Sequence, residues 1–260
     1  MRRQMKSKSL GDRMKEYEGV TRNFLTRRTP VIVRVDGRAF HTLTRNFNKP
    51  FDQGFMTVMI KSAVVLFKEM QGCKLAYVQS DEASFLLTDW DDLSTEPWFG
   101  NNLNKIVSVS AAVMSVTFSN WLDTYSSRGC NTVFSIFDSR AFQLPRDEIT
   151  NYFLWRAKDW ERNSLQMYCQ AHFSHKQLHK KGHAEMHEML HSIGKNWTTD
   201  LTYQEKNGTW ITDASDRDKL EMLKNPDTNT DYCRCDSITQ PNYADINKLV
   251  KSVLPKEDTP

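Results

Sequence analysis

VIVRVDGRAFH, residues 31–41, reads as a strand that ends in a carboxylate. Val31, Val33 and Val35 fall on one face and Ile32 and Arg34 on the other, the period of two that a pleated strand imposes. The run stops at Asp36 followed by Gly37, a charged group beside backbone free to approach something closely. Upstream, a polar helix is expected near Ser9 to Asn23. Downstream, the loop NFNKPFD (46–52) leads into a helix from Asp52 to Gln71. There Phe55, Met59, Ala63, Leu66 and Met70 recur at helical spacing, and Gly72 supplies the stop. Strands KLAYVQS (74–80) and ASFLLTDW (83–90) are separated by Asp81-Glu82, which reads as a hairpin. A second long helix over 102–126 and a strand TVFSIFDS (132–139) complete the series.

The order β-α-β-β-α-β predicts an α+β, ferredoxin-like unit. A right-handed crossover makes the first two strands parallel, with the third between them and antiparallel to both. Asp36 and Asp81, 45 residues apart in sequence, then reach the same edge of the sheet.

Beyond Pro145 the pattern is mainly helical, opening with PRDEITNYFLWRAKDWERNSLQMYCQAHF, in which Asp147 and Glu148 suit the positive end of a helix. QEKNGTW, with Asn207-Gly208, predicts a hairpin. From Ala214 the chain is polar apart from ADINKLVKSVL and reads as a loosely attached tail. The expected division is an N-terminal arm (1–30), a catalytic unit (31–140), a helical C-terminal unit (141–212) and the tail (213–260).

The 260 residues suffice for a sizeable core, and a net charge of +3 with 26% charged residues permits a nucleic-acid partner without requiring one. No apolar run reads as long enough to cross a membrane, and the basic N-terminus has no apolar stretch behind it, so no signal peptide is expected. Five scattered cysteines suit reduced thiols and a cytoplasmic location.

Two carboxylates at one sheet edge repel unless a cation neutralises them. Mg²⁺ suits such a site, because it takes one or two carboxylates together with substrate phosphates. Ser80 offers a hydroxyl to a phosphate oxygen, while Arg38, His41 and Lys49 bring positive charge on adjoining loops. This describes a two-metal site for phosphoryl or nucleotidyl transfer. The other reading of the same residues is an ordinary Asp-Gly turn and a solvated Asp-Glu hairpin, and the pattern alone leaves both open.

RVDGRAFH (34–41), NKPFD (48–52) and YVQSDEASF (77–85) together resemble the motifs of the tRNA-histidine guanylyltransferase superfamily, the 3′–5′ nucleotide polymerases. YFLWRAKDWERNSLQMYCQ (152–170) and SHKQLHKKG (174–182) extend the resemblance, which covers about residues 9 to 212. It implies a polymerase-type palm in which Asp36 and Asp81 bind two or more Mg²⁺ ions with the Gly37 backbone, and Glu82 is a further acidic, catalytic position. Asp36, Gly37, Arg38, Ala39, Phe40, His41, Ser80 and Asp81 would line the nucleotide, with Lys49 and Asp52 near its base. The implied reaction uses ATP to activate a tRNA 5′-monophosphate, then adds GTP or another nucleoside triphosphate through its 3′-hydroxyl; the implied assembly is a homotetramer. The histidine-specific enzymes carry His-Ile-Asn-Asn-Leu-Tyr-Asn where this chain reads Glu161-Arg162-Asn163-Ser164-Leu165-Gln166-Met167. That departure resembles the branch that repairs truncated tRNA 5′ ends against a template. The alternatives are a histidine-tRNA enzyme proper, another palm enzyme such as a nucleotide cyclase, and a silent RNA-binding protein.

Six histidines at 172, 175, 179, 183, 187 and 191 tempt a zinc reading. Gly182 is expected to break the helix between them, and no cysteine or carboxylate cluster converges there. Lys176, Lys180 and Lys181, with Arg156, Arg162 and Asn163, are instead taken as tRNA contacts. Cys233-x-Cys235 is too closely spaced for a zinc ribbon, and Tyr152, Phe153, Trp155 and Trp160 read as core.

Overall fold

The computed structural model describes residues 8–125, 135–213, 222–224, 232–235 and 241–255. Helix α1 (Leu10–Gly19), capped by the Ser9 hydroxyl, buries none of its residues. Strand β1 (Val31–Gly37) follows, then the short α2 (Phe40–Leu43) and α3 (Gln53–Glu69). The Asp52 carboxylate caps α3, accepting from the Phe55 amide at 2.8 Å, and Phe55, Val58, Met59, Ala63, Leu66 and Phe67 form its buried face. The chain turns back at Gly72, where φ is +77° and any Cβ would sit 2.2 Å from the Thr88 carbonyl oxygen. Only glycine fits that approach.

Strands β2 (Cys73–Gln79) and β3 (Glu82–Leu87) form the hairpin, α4 (Leu103–Tyr125) crosses back, and β4 (Phe137–Gln143) pairs with β1. The hairpin turn is Ser80-Asp81, with Ser80 at φ +46°, so Glu82 is the first residue of β3 and lies inside the protein rather than in a solvated turn. The fourth strand starts later than expected; residues 132–134 of that expectation lie outside the described residues. Contrary to the sequence reading, α4 is long and apolar enough by length and composition to cross a membrane. One side of it, including Ile106, Met114 and Phe118, packs into the core, whereas Val116 is 59% exposed.

Helix α5 (Ile149–Gln170) covers the opposite face of the sheet and leads to α6 (His175–Leu178), α7 (His183–Ser192), α8 (Trp197–Asp200) and α9 (Tyr203–Asn207). The expected hairpin at Asn207-Gly208 is instead the end of α9. The capping box formed by Thr202 and Glu205 starts a helical turn, Gly208 at φ +71° ends it, and the chain passes directly into β5 (Thr209–Asp213). That strand joins β2 in the same sheet, and β6 (Met222–Lys224) and β7 (Tyr232–Cys235) extend it. The order among the described residues is β4-β1-β3-β2-β5-β7-β6. The tail is therefore attached: α10 (Tyr243–Val253) buries Ile246, Leu249, Val250 and Val253 against the α5 side of the sheet.

Alternation along the strands makes two cores. Val31, Val33, Val35, Val78, Phe85 and their neighbours face α3 and α4. Ile32, Leu75, Tyr77, Leu86 and Trp210 face α5 and α10. Asp36 shares the face of Ile32, and its register partner on β3 is Glu82. The first strand thus delivers its terminal carboxylate toward the C-terminal half of α5.

Candidate active site

The tips of β1 and the β2–β3 turn are tied together by the Gly37 amide, which donates to the Asp81 carbonyl at 2.9 Å. A Cβ on residue 37 would lie 2.5 Å from the Phe40 ring, which is buried among Phe55, Phe118 and Phe137. Gly37 therefore lets an aromatic anchor fold back under the acidic tip. Ala39 supports the same reversal with a left-handed backbone at φ 55°.

The acids here differ in how they are neutralised. Glu82 receives both arms of Arg156, from Nε at 2.7 Å and Nη2 at 2.8 Å, and Arg34 Nε stands at 3.9 Å. Asp159 accepts from Arg156 at 3.1 Å and is also paired with Arg162. Asp138, opposite Asp36 on β4, pairs with Arg140 at 3.2 Å. Among the described residues Asp36 and Asp81 have no such partner. Burial pushes the Asp81 carboxyl up to about 6, with repulsion from Asp36 adding to it and its own amide and the Ser80 hydroxyl opposing it. An unpaired, partly desolvated carboxylate pair calls for a cation. No group of three or more His, Cys, Asp or Glu able to hold a metal occurs among the described residues. Two carboxylates nevertheless fit Mg²⁺, whose remaining ligands are waters and phosphates.

Two cavities meet at this edge. One, of about 290 Å³, is apolar and aromatic, walled by Phe40, Phe47, Phe51, Phe55 and Met59, with His41, Lys49 and Asp52 on its rim. The other, of about 330 Å³, is polar and contains Asp36, Glu82, Arg156 and Asn163. Gln79, Ser80, Asp81, Trp160 and Met167 border both.

The structure thus gathers most of the sequence-derived candidates around one edge. Arg38 and Ala39 are exposed and Gly37 half-buried, and none of the three lines either cavity. Asp52 is already engaged as the cap of α3, and the Lys49 ammonium donates to the Thr44 carbonyl at 3.0 Å. Arg156, expected on an outer tRNA-binding face, is 7% exposed and held by Glu82 and Asp159; burial alone would lower its pKa, but Glu82 and its other acidic neighbours together outweigh that and raise it. Lys176, Lys180 and Lys181 are exposed away from both cavities, and Lys181 pairs with Glu185 at 2.7 Å. Of the four aromatics read as core, Trp155 is 55% exposed and stacks under the Arg156 guanidinium at 4.4 Å. The sequence reading named Asn163, as a tRNA contact, but missed Gln79 and the rest of its stripe, Asp159, Gln166 and Gln170; the spacing of four, three and four from Asp159 through Asn163 and Gln166 to Gln170 along α5 was a usable signal.

A family model described as "Thg1: tRNAHis guanylyltransferase" matches residues 11–145. A solved bacterial tRNA(His) guanylyltransferase (Thg1)-like protein in complex with ATP superposes with a TM-score of 0.81 at 36% identity, covering 95% of this chain and 100% of that one. The tRNA(His) guanylyltransferase of Schizosaccharomyces pombe is 29% identical over 228 residues, 82% of this chain and 84% of its own. An uncharacterised protein, R259, of Acanthamoeba polyphaga mimivirus is 28% identical over 181 residues, and the match spans 62% of each chain. An α+β sheet with two unpaired carboxylates at adjacent tips, in a chain matched over half its length by that family model, leads to one conclusion: the chain belongs to the tRNAHis guanylyltransferase (Thg1) family of nucleotidyltransferases.

Proposed function

We propose that the chain is a Mg²⁺-dependent 3′–5′ nucleotidyltransferase that rebuilds the 5′ end of truncated tRNA against the opposite strand. The observation that carries this reading is the pair Asp36 and Asp81, neither in an ion pair among the described residues, with Asp36 in the polar cavity and Asp81 bordering both. In this reading the β4-β1-β3-β2 unit is a ferredoxin-like, polymerase-type palm. Asp36 and Asp81 would hold Mg²⁺, which when bound neutralises phosphate charge and lowers the barrier to in-line displacement.

The chain's own groups divide the remaining work. The aromatic cavity takes a base, and Ser80 offers its hydroxyl to a phosphate. The Gly37–Asp81 hydrogen bond keeps the two carboxylate-bearing tips from separating. The Glu82–Arg156 pair removes a third negative charge from the edge. Chemistry then follows in two balanced steps. The tRNA 5′-monophosphate attacks the α-phosphorus of ATP and releases pyrophosphate, leaving an adenylylated end. The 3′-hydroxyl of the next nucleotide attacks that end, loses its proton and displaces AMP. Watson–Crick pairing selects the nucleotide, so base-specific protein contacts are unnecessary, in keeping with Glu161-Arg162 where the histidine-specific enzymes have His-Ile. The side of α4 that carries the exposed Val116 is open to assembly with further copies of the chain, which this reading takes, from the family resemblance, as a tetramer.

The test is incorporation of labelled nucleotides onto 5′-truncated, non-histidine tRNAs carrying each template base, compared with full-length histidine tRNA, all with Mg²⁺. Template-matched addition that slows on a fully paired stem is expected. Guanosine added to full-length histidine tRNA regardless of template would replace the repair reading with the histidine-specific one. Nucleotide consumed without tRNA would indicate a cyclase, and no turnover at all would indicate a silent RNA-binding protein.

A further inference from the structure

Two residues that border both cavities each carry a buried polar atom with no hydrogen-bond partner among the described residues: the Gln79 carbonyl oxygen Oε1 and the Trp160 indole Nε1–H. Gln79 is 5% exposed and Trp160 4%, and both border both cavities. The orientation of the Gln79 amide follows from its other hydrogen bond. Its Nε2 donates at 3.3 Å to Glu82 Oε1, an acceptor, so the atom left over is an acceptor too. Leaving such groups unsatisfied in the interior is costly, and their persistence in two residues of the cavity walls points to a ligand that completes them.

One acceptor and one donor are together satisfied by a single hydroxyl, which donates to one and accepts from the other. The connectivity of a nucleotide places a hydroxyl there. Its base suits the aromatic cavity, its phosphates belong beside Asp36 and Asp81, and the sugar must bridge the two. We propose that Gln79 and Trp160 form a ribose-reading clasp that engages the 2′-hydroxyl of the bound nucleoside triphosphate and discriminates against 2′-deoxynucleotides. The 3′-hydroxyl of an incoming nucleotide is set aside because the proposed reaction uses it as nucleophile, and the 3′-deoxy-ATP arm below tests that choice; the inference therefore rests on that functional reading. A site that hydrogen-bonds a hydroxyl rejects the analogue lacking it, because both of its own groups then stay unpaired.

The experiment is equilibrium binding of ATP, 2′-deoxy-ATP and 3′-deoxy-ATP to the full chain with Mg²⁺, for wild type, Trp160→Phe and Gln79→Met. Wild type should bind ATP about 10- to 100-fold tighter than the 2′-deoxy analogue. Each variant should weaken ATP while leaving 2′-deoxy-ATP within about twofold, collapsing the ratio toward one. Equal wild-type affinity for ATP and 2′-deoxy-ATP overturns the clasp without needing any variant to fold. So does a preference that survives both substitutions, or one seen only against 3′-deoxy-ATP. Absence of binding by all three nucleotides overturns the nucleotidyltransferase reading itself, a distinct result.

Discussion

Replacing Arg156 with Met should destabilise the protein by about 3 kcal/mol, the lower end of the 3–5 kcal/mol range for breaking a buried ion pair. The magnitude follows from what Glu82 keeps. Glu82 is 8% exposed and loses two charge-assisted hydrogen bonds of 2.7 and 2.8 Å. It retains Arg34 Nε at 3.9 Å, the Gln79 amide at 3.3 Å and the Ser84 hydroxyl at 3.5 Å, so its charge is under-compensated rather than isolated. Asp159 keeps Arg162 and therefore adds little to the loss. For a chain of 260 residues, about 3 kcal/mol lowers the unfolding midpoint by roughly 6–12 °C. Glu82→Gln combined with Arg156→Met removes the stranded charge. The double variant should recover at least about 1.5 kcal/mol relative to the sum of the single losses. Urea unfolding followed by circular dichroism, with the slope held constant between variants, reads both quantities. An Arg156→Met loss below about 1 kcal/mol, or additive single and double variants, would refute the view that Glu82 is an internal counter-ion to Arg156.

Asp81→Asn should stabilise the metal-free protein at neutral pH while removing activity. The Asp81 carboxyl is raised from 3.8 to about 6 on folding, so the folded state binds the proton more tightly, and the stability this confers is fully present below about 3.8 and lost as pH rises through about 6. The gap between variant and wild type should therefore open over that window and plateau above it at no more than about 3 kcal/mol; thermal melts from pH 4 to 8 in chelator check the sign. Neutralising Lys176, Lys180 and Lys181 together should flatten the salt dependence of tRNA affinity by roughly 0.7–0.9 for each phosphate that no longer meets a lysine, with ATP affinity unchanged; an unaltered slope would make them an ordinary solvated face.

What the sequence determined by itself was local and periodic. The alternation of Val31, Val33 and Val35 marks β1, the spacing of Phe55, Met59, Ala63 and Leu66 marks α3, and Gly72 marks its stop, because each depends on the geometry of a few consecutive residues. The convergence of Asp36 and Asp81 was legible as well, since the element order and crossover handedness leave one arrangement of strand tips. Tertiary structure decided whatever depends on partners far along the chain. An Asp-Glu pair between strands carries no mark of which acid turns inward; Glu82 does so because Arg156, 74 residues later, meets it across the sheet. Asn207-Gly208 ends a helix rather than a hairpin because β2 offers an open edge that β5 fills immediately afterwards. The tail packs because α10 finds apolar surface on the α5 side of the sheet. Gln79 and Trp160 look in sequence like one more polar and one more aromatic residue. Only the packing of α5 over the hairpin buries their polar atoms unpaired and brings both residues to the wall of both cavities, and no local pattern encodes that.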